Sequence, residues 1–195
     1  MADPVELLKR NLATSIEAKQ QFLLRGDQIA EFGRAVTCVV ESYRKGGRIY
    51  IAGNGGSAAD AQHLAAEFVS KLTRDRAPLP AEALTVDSSI LTAIGNDYGY
   101  DEVFARQVAG KMRSGDVFLG ITTSGNSRNI IRALEQCKIM PSVTTIVFSG
   151  HDGGKVKGLA DFCIIANGKE TATIQEIHIV LAHSLCECVE IELFS

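Results

Sequence analysis

An α/β fold, a parallel sheet wrapped by helices, is predicted by two features of this chain. Five short β-rich runs, RIYIA, AEALTV, GDVFLGIT, VTTIVFS and ADFCIIA, alternate with segments whose apolar residues recur at helical spacing. The length of 195 residues, 46% apolar and 22% charged, suits one such domain with a substantial core and falls short of two.

The elements follow in order. Residues from Pro4 to Arg44 carry apolar positions at helical spacing, broken at RGDQ, so a helical hairpin is expected, with Asp27 able to cap its second helix. The hairpin takes up about 3–45, the sheet core about 46–170 and a last helix about 172–193. Within the core, DSSILTAIGNDYGY and DEVFARQVAGKM read as helices around a Gly-Asn-Asp turn, and SRNIIRALEQCK as an amphipathic helix entered directly from a strand. The final run, Thr173 to Leu193, is apolar on most sides and predicts burial against other helices or other subunits.

Composition narrows the function. A formal charge of -3 offers no basic footprint for nucleic acid, and a small anionic ligand is the better expectation. No stretch approaches the roughly 20 apolar residues of a spanning helix, and MADPVELLKRN lacks a signal peptide's apolar core, which predicts no membrane partner and a cytoplasmic protein. Cys38, Cys137, Cys163, Cys186 and Cys188 form no CxxC pair and read as reduced, packed thiols.

Two strand–loop–helix units carry the chemistry. In IAGNGGSAADAQ and GITTSGNSRNII a strand ends in a turn of small and hydroxylic residues that opens a helix, so backbone N–H groups and the helix dipole converge where a phosphate fits. Gly55, Gly56 and Gly125 permit close backbone approach, while Ser57, Thr122, Thr123, Ser124 and Ser127 offer hydroxyls. No Gly-Lys-Ser/Thr follows and the dinucleotide glycine spacing is absent, which disfavours a nucleotide. His63 and Glu67 stand four apart on the following helix and share a face; an exposed ion pair is the plain reading of such a pair. Gln175 and His183 sit in the apolar last helix, where imidazole has few partners. These side chains suit zinc as ligands, and the carboxylate and imidazole equally suit acid–base work near neutral pH.

The motifs AGNGGSAADAQH, AEF, LTAIGNDYGY, TTSGNS, DGG and IQEIH, followed by His183, resemble the phosphoheptose isomerase family of the sugar isomerase (SIS) fold over essentially the whole chain. The resemblance implies a flavodoxin-like three-layer sandwich around a parallel five-stranded sheet, a homotetramer with sites near subunit interfaces, and conversion of sedoheptulose 7-phosphate to glycero-manno-heptose 7-phosphate for bacterial surface polysaccharide. It implies substrate contacts from Asn54, Gly55, Gly56 and Ser57, with Glu67 at the reacting end. It further implies sugar-hydroxyl contacts from Asn96 and Asp97, and phosphate contacts from Thr122, Thr123, Ser124 and Ser127 with Gln175 assisting. Zinc ligands implied in the same way are His63, Glu67, Gln175 and His183. One departure limits the transfer: relatives reading ADRIQE have an aspartate where Ala172 stands, so no role of that aspartate passes to this chain.

The expected chemistry is aldose–ketose isomerisation through an enediol, with Glu67 as base, His183 as acid and no redox or nucleotide cofactor. A non-catalytic SIS module that binds the replication initiator protein, or an isomerase of another phosphosugar, are the alternatives. Gln175 and His183 are eight apart, about 12 Å along a helix, so an active site completed by a neighbouring chain is expected.

Overall fold

The computed structural model describes residues 3–194. Helix α1 (Pro4–Leu23) starts with proline in its first turn and Asp3 accepting from the Val5 N–H at 2.9 Å. Helix α2 (Gly26–Arg44) completes the hairpin, but Asp27 does not cap it. The helix begins a residue earlier, at Gly26, and the Asp27 carboxylate is taken by the side chains of Arg25 and Gln28.

The strands are β1 (Ile49–Gly53), β2 (Ala81–Ala83), β3 (Val117–Thr122), β4 (Thr144–Gly150) and β5 (Phe162–Ala166). They form one all-parallel sheet in the order β2-β1-β3-β4-β5. Alternation along the strands sorts the core into two layers. Ile49, Ile51, Leu119, Ile121, Ile146 and Phe148 face α2, α3 (Gly56–Val69) and α7 (Thr171–Phe194). Tyr50, Ala52, Phe118 and Val147 face the opposite way, toward α5 (Ala105–Lys111) and α6 (Arg128–Lys138). This is the parallel sheet wrapped by helices that the alternating pattern predicts, in the three-layer arrangement that the family resemblance implies. Among the described residues no helix is long and apolar enough to cross a membrane.

The segment between β2 and α5 differs from its expected form. Gly95, Asn96 and Asp97 are the last residues of α4 (Ser88–Asp97), not a turn. The chain breaks at Tyr98 and Gly99, where Gly99 takes φ +90°, before a short 3-10 turn at Tyr100–Glu102.

One packing relationship places the functional side chains. Helices α3 and α7 lie side by side and run in the same direction: Gln175 meets Gly56, His183 meets His63 and Glu67, and Glu190 meets Leu72 and Thr73 just beyond α3. The offset along the chain stays near 116 to 120 throughout, so each level of α7 reads a matching level of α3.

Candidate active site

Strands β1 and β3 are neighbours although β2 lies between them in sequence, so the sheet changes direction there. A crevice outside the carboxyl ends of the strands opens at such a switch point. Both hydroxylic loops leave from these two strands. The first, Asn54–Gly55, turns through Gly55 at φ +56° and opens α3; the second, residues 123–127, opens α6. Each helix directs its first N–H groups toward the crevice.

Side chains tie the two loops together. Asn54 and Asn129 exchange amide hydrogen bonds at 2.9 and 2.8 Å, and the Tyr100 hydroxyl donates to Asn54 Oδ1 at 3.2 Å. Asn129 is buried at the start of α6, and neither it nor Tyr100 stood out in the sequence; the signal available was an asparagine in the first turn of a helix after a phosphate-type loop. In the second loop the Thr122 and Ser127 hydroxyls are 2.9 Å apart, and the Ser124 hydroxyl accepts from the Asn126 N–H at 3.1 Å. The Gly125 carbonyl accepts from the Val156 N–H at 3.1 Å, docking this loop on the 3-10 turn that follows DGG. Ser57 is buried in the first turn of α3. Asn96 and Asp97 are exposed at the end of α4, with the Asn96 amide donating to Asp97 at 2.8 Å; the contact from this region to the first loop is made by Tyr100.

Further along α3, His63 Nε2 lies 3.0 Å from Glu67 Oε1, His183 Nε2 lies 3.4 Å from the same oxygen, and the two imidazole nitrogens are 3.0 Å apart. Two ligands of a tetrahedral zinc, each at about 2.0–2.1 Å, stand about 3.3 Å from one another. The three donor atoms therefore have the mutual spacing of three corners of a zinc site, and their chemistry, two imidazoles and a carboxylate, suits that ion. Glu67 Oε2 is buried with no hydrogen-bond partner, which leaves its charge incompletely compensated. Burial pushes the neighbouring Cys186 thiol well above its ordinary range, and the Glu67 carboxylate adds to that shift.

Gln175 is not brought into this trio. Its amide packs on Gly56, about two helical turns of α3 before His63, because the parallel packing gives Gln175 and His183 different levels of the same helix. The same packing brings Glu67 and His183 of one chain together. Between the two levels sits Asp60, on the Gly56–His63–Glu67 face by its spacing. Burial raises the Asp60 pKa, His63 draws it partly back, and its Oδ2 is buried without a partner. In the sequence this carboxyl is marked only by its three-residue spacing from His63.

His178, also on α7, packs against β4 beside Phe148. It is 1% exposed, and since a carbonyl only accepts, its Nε2–H donates to the Ser149 carbonyl at 2.9 Å. Burial holds its pKa down at about 4, the Ser149 carbonyl opposing that shift only in part.

A five-stranded parallel sheet with two hydroxylic loops at its switch point defines the class, and the sequence model of the SIS domain family matches residues 4–150. Phosphoheptose isomerases from Aneurinibacillus thermoaerophilus and Clostridium acetobutylicum are each 48% identical to this chain, over 97% and 96% of it and 95% of their own lengths. Solved phosphoheptose isomerases from Neisseria gonorrhoeae and Francisella tularensis share its fold with TM-scores of 0.90 at 40% and 32% identity, covering 97% of this chain and 100% of each of theirs. The chain belongs to the phosphoheptose isomerase family of SIS-domain proteins and is an isomerase. The reading as a non-catalytic regulator is thereby set aside.

Proposed function

We propose that this isomerase interconverts sedoheptulose 7-phosphate and glycero-manno-heptose 7-phosphate through an enediol, as a step toward bacterial surface polysaccharide. The observation that supports this most is the convergence of His63 and His183 on one Glu67 oxygen, on a helix whose first turn belongs to the phosphate-type crevice. Thr122, Thr123, Ser124 and Ser127, with the N-terminus of α6, hold the phosphate, and Asn54, Gly55, Gly56 and Ser57 line the approach to α3. Asn96 and Asp97 contact sugar hydroxyls and Gln175 assists at the Gly56 end. Binding the phosphate at a distance orients C1 and C2 of the open-chain sugar.

Glu67 takes the proton from C1 of the ketose and returns one to C2. His183 donates to and accepts from the sugar oxygens as the enediol forms and collapses. His63, Glu67 and His183 would hold a zinc ion. Such an ion supplies Lewis acidity that polarises the carbonyl oxygen. The working assembly is a homotetramer: Val5, Leu8, Leu12 and Ile16 are exposed along α1, an apolar stripe suited to cover by another subunit.

The test is to mix the purified protein with sedoheptulose 7-phosphate and follow the aldose by NMR. Turnover of a different phosphosugar in its place would reassign the substrate.

A further inference from the structure

Helix α3 ends two residues after Glu67, at Val69, and no basic side chain lies in its last turn. Helix ends leave four carbonyls without intrahelical partners and carry partial negative charge. Here the cation comes from outside the helix. Arg76 donates to the Glu67 carbonyl at 2.9 Å and to the Phe68 carbonyl at 2.6 Å. Its charge is met by Glu190, whose Oε1 lies 3.0 Å from both Nε and a terminal guanidinium nitrogen. Glu190 also accepts from the Leu72 N–H at 2.8 Å, the Thr73 N–H at 3.2 Å, the Arg74 N–H at 3.3 Å and the Thr73 hydroxyl at 2.9 Å. The two side chains are 1% and 0% exposed.

So enclosed an ion pair is a poor device for stability alone, since well-packed apolar residues of similar volume commonly do as well. An apolar pair could neither accept from the Leu72, Thr73 and Arg74 N–H groups nor grip the main-chain carbonyl of Glu67 itself. The grip is anchored on the helix that carries His183, because Glu190 follows His183 by seven residues, two turns along the same face of α7. Arg76 and Glu190 thus brace α3 against α7 immediately behind the atoms that meet in the site.

We infer that Arg76 and Glu190 are positioning residues for the isomerisation, fixing the end of α3 so that Glu67 stays in register with His63 and His183. The inference rests on the reaction proposed above. It assigns to the pair no contact with substrate.

The experiment compares wild type with Arg76→Met/Glu190→Met, which removes both charges together, and with Arg76→Lys, which keeps the charge but loses the fork. Circular dichroism and thermal midpoint establish folding, steady-state kinetics separate kcat from KM, and side-chain proton–nitrogen NMR reads the four imidazoles. A sub-ångström to 1 Å displacement predicts a kcat lower by about thirtyfold or more in the double variant, with KM within about twofold. Arg76→Lys should lie between. The His63 and His183 signals should shift while those of His151 do not. Wild-type kcat with unmoved His63 and His183 signals overturns the inference, as does a loss of activity that only tracks the folded fraction. If the double variant fails to fold, Arg76→Lys decides on the same criteria. If wild type itself makes no aldose, the proposed reaction fails, and the imidazole signals still decide whether the pair holds the trio in place.

Discussion

His183 Nε2 lies 3.4 Å from Glu67 Oε1 within a single chain, at the level where α7 passes the second half of α3. Removing either group leaves the other in place without its partner. Glu67→Gln and His183→Gln should each lower turnover by at least about a hundredfold while circular dichroism stays native. Because both groups sit on one chain, mixing the two inactive variants after subunit exchange should restore no activity. Recovery in mixed oligomers would show that the working pair forms between chains.

The second loop leads to a different kinetic signature. The Thr122 and Ser127 hydroxyls are 2.9 Å apart at the mouth of α6, remote in sequence from the reacting pair. Ser127→Ala and Ser124→Ala should raise KM by about tenfold and leave kcat within a few-fold, since the hydroxyls are assigned to phosphate and not to the reacting carbons. Sedoheptulose without phosphate should be a very poor substrate. Equal rates on the free sugar would remove the phosphate from this loop.

Much of this arrangement was legible in the chain. The five strands, the two loops and the four-residue spacing of His63 and Glu67 follow from local pattern, because alternation and helical period are local properties. What was not legible depended on the register between α3 and α7. Helical spacing says that Gln175 and His183 lie about 12 Å apart, but only packing shows that Gln175 reaches Gly56 while His183 reaches Glu67. Arg76 and Glu190 are separated by more than a hundred residues and look like ordinary surface charges in sequence. Glycine beside asparagine suggests a turn at Asn96 and Asp97, whereas the actual break comes at Gly99.

The spacing of the His63–Glu67–His183 donors gives a prediction about metal. Zinc should be found by elemental analysis after mild purification, and a chelator should lower both the thermal midpoint and the activity, with zinc restoring them. His63→Ala should lower zinc affinity by at least about tenfold. A fully active, metal-free protein that ignores added zinc would leave these three side chains to acid–base work alone.

His178 sets a pH limit on the fold. The folded state holds its imidazole at about 4 against the ordinary 6.5, chiefly by burial. Between those values the unfolded chain binds a proton that the folded chain refuses, so stability falls as pH drops from 6.5 toward 4, amounting to about 2 kcal/mol by pH 5. By about pH 7.5 both states are essentially neutral and the contribution vanishes. His178→Leu, by losing the bond to the Ser149 carbonyl, should be less stable at pH 7.5 by about 1–3 kcal/mol. In urea unfolding its deficit should shrink by about 2 kcal/mol at pH 5. A deficit that stays constant with pH would show that His178 titrates alike in both states.

Two glycines of the crevice should respond oppositely to alanine. At Gly125, φ is +66° and an added Cβ would strike the Gly153 carbonyl and stand 2.8 Å from the Gly154 nitrogen, all backbone of the docked DGG turn. Nothing there can rotate away, so the loop must lift. Gly125→Ala should therefore lose about 2–4 kcal/mol of stability, through strain and separation of the two loops, together with substrate affinity. At Gly56 the residue is helical and the obstacle is the Gln175 side-chain amide, whose Cδ lies 3.1 Å from the added carbon. A flexible side chain can yield, and alanine favours the helix by up to about 1 kcal/mol. Gly56→Ala should keep or slightly gain stability yet lose activity, because it evicts Gln175 from the start of α3. That cause is separable: if eviction is the whole effect, Gly56→Ala/Gln175→Ala should be no less active than Gln175→Ala alone. Losses that simply multiply in the double variant would mean that the Gly56 backbone itself, and not the displaced amide, meets the substrate.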